Sequence, residues 1–148
     1  MKSIAYLRAA VLREAETWLG TPYHHAARIK GAGVDCLTLL AEVYAAAGVI
    51  EPVVEIPFYR LDFMRHQTDE TYLNGLLAHG HEVAAPLPAD VVLYKWGRVF
   101  SHGAIVVAWP RIIHASPSRS GVIWADGTQG RLAGHQMKFI SPFADEAA

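Results

Sequence analysis

One cysteine and two histidines stand where their types and spacing could do nucleophilic chemistry. Cys36 is the only cysteine in the chain. It opens an apolar run, Cys36-Leu-Thr-Leu-Leu-Ala41, that follows the loop Gly31-Ala-Gly-Val-Asp35. At a helix N-terminus, unpaired N–H groups and the positive end of the dipole favour a thiolate. The same N–H groups could hold the oxyanion formed when a thiolate attacks a carbonyl, and the glycines allow close approach of backbone or substrate. Taken alone, a cysteine in an apolar helix reads as a small buried hydrophobe. A nucleophile needs a base, and the base needs an orienter.

Eight histidines are available, so position must discriminate. His102 opens the β-rich run Ala104-Ile-Val-Val-Ala108, and His114 lies inside the next, Arg111-Ile-Ile-His-Ala115. With a three-residue hairpin loop, Ala108 to Pro110, Val107 opposes Arg111 and His114 opposes Ala104. The two histidines are then diagonal neighbours on one face. A two-residue loop would send them to opposite faces. The small side chain of Ala104 on that face leaves room for the end of the Cys36 helix to dock.

The remaining polar and aromatic residues read more plainly. His24 and His25 are sequence neighbours and do not face one metal on any regular element. His66, His79 and His81 read as surface residues, Asp35 as a helix cap rather than a catalytic acid, and Asp90 as a turn or strand-start residue. Trp96, Trp109 and Trp124 could line a groove, although large aromatics more often belong to a core. No metal site is expected.

The elements that must position these groups follow from the pattern. Ser3 can cap a first helix with Ile4, Leu7, Val11 and Trp18 at helical spacing, ended by Gly20 and Thr21-Pro22. Tyr23 to Val34 reads as irregular loop. A second helix runs from about Asp35 to Ala47, with Gly48 as its C-terminal cap. Glu51 to Pro57 looks extended, and Arg60 to His79 carries a weaker helical pattern that breaks near Thr68. From Asp90 onward come short β-rich runs at Val91–Tyr94, Ala104–Ala108, Arg111–Ala115, Val122–Ala125 and Met137–Ile140, bounded by turn residues. Helices followed by consecutive strands predict an α+β domain with a mainly antiparallel sheet. One domain over residues 1–148 is expected, with a helical insert at about 58–82.

Composition narrows the partners. Thirteen basic and fourteen acidic side chains give a net charge of −1, which leaves no basic stripe for nucleic acid and no polybasic membrane anchor. Uncharged stretches are too short for a membrane span. Arg8, Arg13, Glu14 and Glu16 interrupt the apolar pattern of Met1–Trp18, so no signal peptide is expected.

Six segments in order, Trp18-Leu-Gly-Thr-Pro-Tyr23, Gly33-Val-Asp-Cys36, Leu87-Pro-Ala-Asp90, Ser101-His-Gly-Ala-Ile-Val106, Ile112-Ile-His-Ala115 and Gly121-Val122, resemble the NlpC/P60 cell-wall peptidases, a papain-like group. The segment from Tyr59 to Pro86, with Trp109-Pro-Arg-Ile-Ile-His114, looks most like the subgroup encoded in phage and phage-like tail clusters. The resemblance implies a papain-like NlpC/P60 fold and a cysteine peptidase acting on peptidoglycan stem peptides, typically at the γ-D-glutamyl to diamino acid bond. In it Cys36 is the nucleophile, His102 the base and His114 its orienter, Tyr23 helps the oxyanion site, and Asp35 lies on the substrate side. It implies no cofactor, phage tail proteins as partners, and wall access by way of a virion or lysis. Alternatives on the same fold are a structural or adaptor module of a tail and a cytosolic peptidase recycling murein peptides. Three positions depart from the pattern: Leu37 and Thr38 stand where a small residue and then glycine usually follow the cysteine, and Ala89 replaces a glycine before Asp90.

Overall fold

The computed structural model describes residues 2–54, 70–119 and 121–144. Helix α1, Ile4–Glu16, begins where Ser3 accepts the Tyr6 N–H at 3.0 Å and presents Val11 and Ala15 to the core. It ends before Trp18, and a turn leads to Gly20 at φ +86°. The expected irregular loop contains a two-stranded ladder, β1 (Arg28–Ile29) with β2 (Gly33–Val34). Helix α2, Cys36–Ala46, is nearly all apolar and buries Leu39, Leu40, Val43 and Tyr44. It closes as expected at Gly48, φ +81°. There the Val49 N–H reaches the Tyr44 carbonyl and the Gly48 N–H the Ala45 carbonyl, which satisfies the last turn.

Within the segment read as a helical insert, helix α3 is Thr71–Leu77, and His81–Val83 is strand β3 rather than helix, because it pairs with the C-terminal strand. Residues 55–69, with His66 and the break near Thr68, lie outside the described residues. The other strands are β4 (Val91–Trp96), β5 (Val99–Ala108), β6 (Arg111–Ser116), β7 (Gly121–Asp126) and β8 (Met137–Ser141). A 3₁₀ turn, Gly130–Leu132, precedes β8. The six-stranded sheet runs β3-β8-β4-β5-β6-β7, antiparallel throughout, so the expected α+β class is what forms.

Both faces of the sheet are covered, and alternation along each strand sorts the side chains. Val91, Leu93, Ile105, Ile113 and Ala115 pack with α1, α2 and α3. Val92, Tyr94, Ala104, Val106 and Ile112 pack on the other face under Leu132, Trp96, Trp109 and Phe139. Two covered faces explain why eight successive residues of β5, Val99 to Val106, are all buried.

The β5–β6 hairpin reaches the expected alignment by another route. Ala108 pairs with Arg111, so the loop is two residues, Trp109-Pro110, joined by a cis peptide bond. The ladder then slips at Val107, and Val106 pairs with Ile112 and Ile105 with Ile113. That bulge absorbs one residue. Continued one step, the register sets His114 opposite Ala104, as a three-residue loop would have done.

Candidate active site

Cys36 stands at the first position of α2, and its helix end is tightly capped. The Asp35 carboxylate accepts the Leu37 N–H at 3.0 Å and the Thr38 N–H at 2.9 Å, while Thr38 Oγ1 accepts the Asp35 N–H at 2.9 Å. This is a reciprocal capping box. Thr38 is therefore the residue that closes the cap. The second carboxylate oxygen accepts the Ala26 N–H at 2.7 Å, tying the β1–β2 loop to the helix. Asp35 thus acts as the cap that its type and position predict. It also takes two of the first-turn N–H groups that the sequence offered for an oxyanion, leaving the Cys36 N–H, which lies against its own sulfur.

The thiol enters an opening between β5 and β6. Val106 turns its backbone toward β4, with its N–H on the Asp90 carbonyl at 2.8 Å and its carbonyl on the Ala89 N–H at 2.7 Å. Two-residue alternation then directs the N–H and C=O groups of Ser101 and Gly103 toward β6. The β5–β6 ladder stops at Ile105–Ile113. In place of a strand partner, Cys36 Sγ stands 3.7 Å from the Ser101 carbonyl oxygen and against the Gly103 N–H. The thiol therefore rests on the two residues that flank His102.

His102 and His114 bridge the same opening, with His102 Nε2 and His114 Nδ1 2.8 Å apart. Their rings meet edge to face. Trp96, the last residue of β4, stacks flat on His102 with centroids 4.2 Å apart and planes 6° apart. The imidazole is thus fixed on one side by an indole and at Nε2 by its partner. Its Nδ1 is buried without a hydrogen-bond partner, as is Trp96 Nε1.

The position that admits the helix is Gly103, not Ala104. A Cβ on Gly103 would stand 2.7 Å from the Tyr72 hydroxyl and 3.0 Å from Leu40 Cδ1, whereas Ala104 belongs to the cluster on the far face. The period-2 pattern held the clue, since Ile105 and Gly103 share a face. Tyr72 itself lay in a weak helical pattern and gave no signal of its place beside Cys36.

Electrostatically the resting site is neutral. Burial, and then the Asp35 carboxylate, push the Cys36 thiol from 9.0 up to about 12. Against the thiolate that is about 4 kcal/mol, more than the ~2 kcal/mol upper range of a helix terminus, so burial wins. Burial lowers His114 from 6.5 to about 4, and lowers His102 well below its ordinary value with His114 and His135 adding to the effect. Tyr23 packs at the rim of the core beside Val34. Its hydroxyl is pushed up by burial and then by Cys36 and Asp35, which places it within their electrostatic reach. Among the described residues no group of three potential ligands could hold a metal; His25 faces Asp35 at 3.9 Å, and His24 packs where a Cβ on Gly33 would fall.

No protein-family model matches the sequence, and no curated protein does. Solved structures do match. NlpC1 from Trichomonas vaginalis aligns with a TM-score of 0.67 at 18% identity over 95% of this chain. The chain spans 45% of that protein's length. The peptidoglycan hydrolase RipB from Mycobacterium tuberculosis aligns with a TM-score of 0.63 at 20% identity, over 97% of this chain and 70% of that one. RipD from the same organism, described as a non-catalytic NlpC/p60 domain protein adapted to peptidoglycan binding, aligns with a TM-score of 0.56 at 15% identity over 90% and 95%. The helices laid on a six-stranded antiparallel sheet have the fold of these NlpC/P60 domains.

Proposed function

We propose that this chain is a cysteine peptidase that hydrolyses peptidoglycan stem peptides, with Cys36 as nucleophile, His102 as base and His114 as orienter. The observation that carries the reading is the His102–His114 contact of 2.8 Å in the strand opening that also receives the Cys36 thiol. A buried, unpartnered ring nitrogen costs roughly 1–3 kcal/mol. That cost has a purpose if His102 Nδ1 is the proton acceptor. With Nε2–H donated to His114, the Nδ1 lone pair is bare and the tautomer is set.

Because the resting pair is thiol and neutral imidazole, the proton moves as the bond forms. Sulfur attacks the peptide carbonyl carbon, its proton passes to His102, and the tetrahedral oxyanion collapses with transfer of that proton to the leaving amine. Water then hydrolyses the thioester, with His102 again as base. The Cys36 N–H and the Tyr23 hydroxyl are the groups assigned to the oxyanion. The bond assigned is γ-D-glutamyl to diamino acid. The setting assigned by resemblance is a phage tail, with access to the wall through the virion and tail proteins as partners.

A second reading has its own support. Cys36 and His114 are 4% and 5% exposed and His102 is fully buried, and one structural neighbour is non-catalytic. On that reading the domain binds a stem peptide or a tail protein without turnover. Purified peptidoglycan and free muropeptides incubated with wild type and Cys36→Ala, with products weighed by mass spectrometry, separate the two. New amine termini made only by wild type support the peptidase, and binding without release by both proteins supports the module. Release from free muropeptides but not from intact sacculi would point to recycling.

A further inference from the structure

Helix α3 is fastened over the Cys36 opening at two points. Glu70, just before the helix, accepts the Phe100 N–H of β5 at 2.8 Å. Two residues on, the Tyr72 hydroxyl donates to the Cys36 carbonyl oxygen at 3.3 Å. The hydroxyl occupies the space that residue 103 leaves by having no side chain. Burial disfavours the Cys36 thiolate, and the Gly103 N–H and the Tyr72 hydroxyl are neighbouring groups that favour it. A contact of 3.3 Å is long for an O–H donor, so leaving the carbonyl costs little. Burial and the nearby sulfur keep the phenol protonated, hence always a donor.

We propose that Tyr72 is a positioning residue for the nucleophile, its hydroxyl resting on the Cys36 carbonyl and turning to the sulfur as negative charge develops there. The proposal rests on reading Cys36 as the nucleophile. It explains why a glycine occupies position 103 where the strand pattern around it is apolar, and why a side chain from α3 is buried at this point. A purely space-filling role would need the ring and not the hydroxyl.

Cys36 is the only cysteine, so alkylation of the full chain by iodoacetamide, followed by intact mass across pH 7 to 10, reports one thiol. Tyr72→Phe is expected to slow alkylation roughly tenfold at each pH, the loss of one hydrogen bond to a charged group, with an unchanged far-UV spectrum. Gly103→Ala, which displaces the hydroxyl without altering Tyr72, should act in the same direction. Equal or faster alkylation in folded Tyr72→Phe would overturn the proposal and leave Tyr72 as a plug. In peptide release, Tyr72→Phe should lower kcat and leave KM unchanged. Slower alkylation with no peptide release by wild type would uphold the Tyr72 contact and remove the peptidase reading. Peptide release with unaltered alkylation would do the reverse.

Discussion

At the scale of single residues, the site holds three titratable groups in their neutral forms, and this has consequences for pH. The unfolded chain protonates His114 near 6.5 and the folded one near 4. Between those values the unfolded state binds more protons, so stability falls as pH drops through the window, by up to about 3 kcal/mol for this group. His102 shifts in the same direction. The Cys36 thiol has the opposite sense: its stabilising contribution is intact below 9.0 and is lost as pH rises toward about 12. Urea midpoints measured from pH 4 to 7 in wild type and His114→Asn check this, and the variant should lose much of the acid dependence. A flat wild-type profile over that range would mean that the two rings are not held neutral. Thr38→Gly removes half the capping box and puts glycine in a helix. It should cost about 1–2 kcal/mol in thermal or urea unfolding.

At the scale of elements, the strand register decides whether the two histidines meet. The alternation of β5 and β6 was readable, and with a three-residue loop it put His102 and His114 on one face. The means was not, because a bulge at Val107 and a longer loop give the same alignment and sequence periodicity cannot tell them apart. Deleting Val107 removes a residue that lies outside the ladder and leaves Ala108–Arg111 and Val106–Ile112 as successive pairs. The variant is expected to fold with His114 still titrating near 4 by NMR; a value near 6.5 would show that the histidines had parted. The turn before β4 tells a similar story. Ala89, where the sequence pattern usually has glycine, has a φ of +76° and is fully buried. Relief of about 1–2 kcal/mol of left-handed strain, less the added freedom of the unfolded chain at ~0.5–1 kcal/mol, makes Ala89→Gly stabilising by roughly 0.5–1 kcal/mol.

At the scale of the molecule, the fold class followed from helices preceding strands, and the capping residues Ser3, Asp35 and Gly48 marked helix ends with little error. The covering of both sheet faces was not readable, because Leu132, Trp109 and Phe139 come from separate stretches and meet only in three dimensions. Nor was Tyr72, for the same reason. The second face matters to chemistry, since it buries His102 and excludes water from the ring pair. Among the described residues no helix is long and apolar enough to cross a membrane. The central claim is that this closed, neutral arrangement cuts a peptide bond through Cys36. Its most direct test is mass analysis of stem peptides after incubation with wild type and with Cys36→Ala, both verified as folded. The account predicts fragments with new amine termini from the wild type and none from the variant. Intact peptides with the folded wild type, or equal cleavage by both proteins, would contradict it.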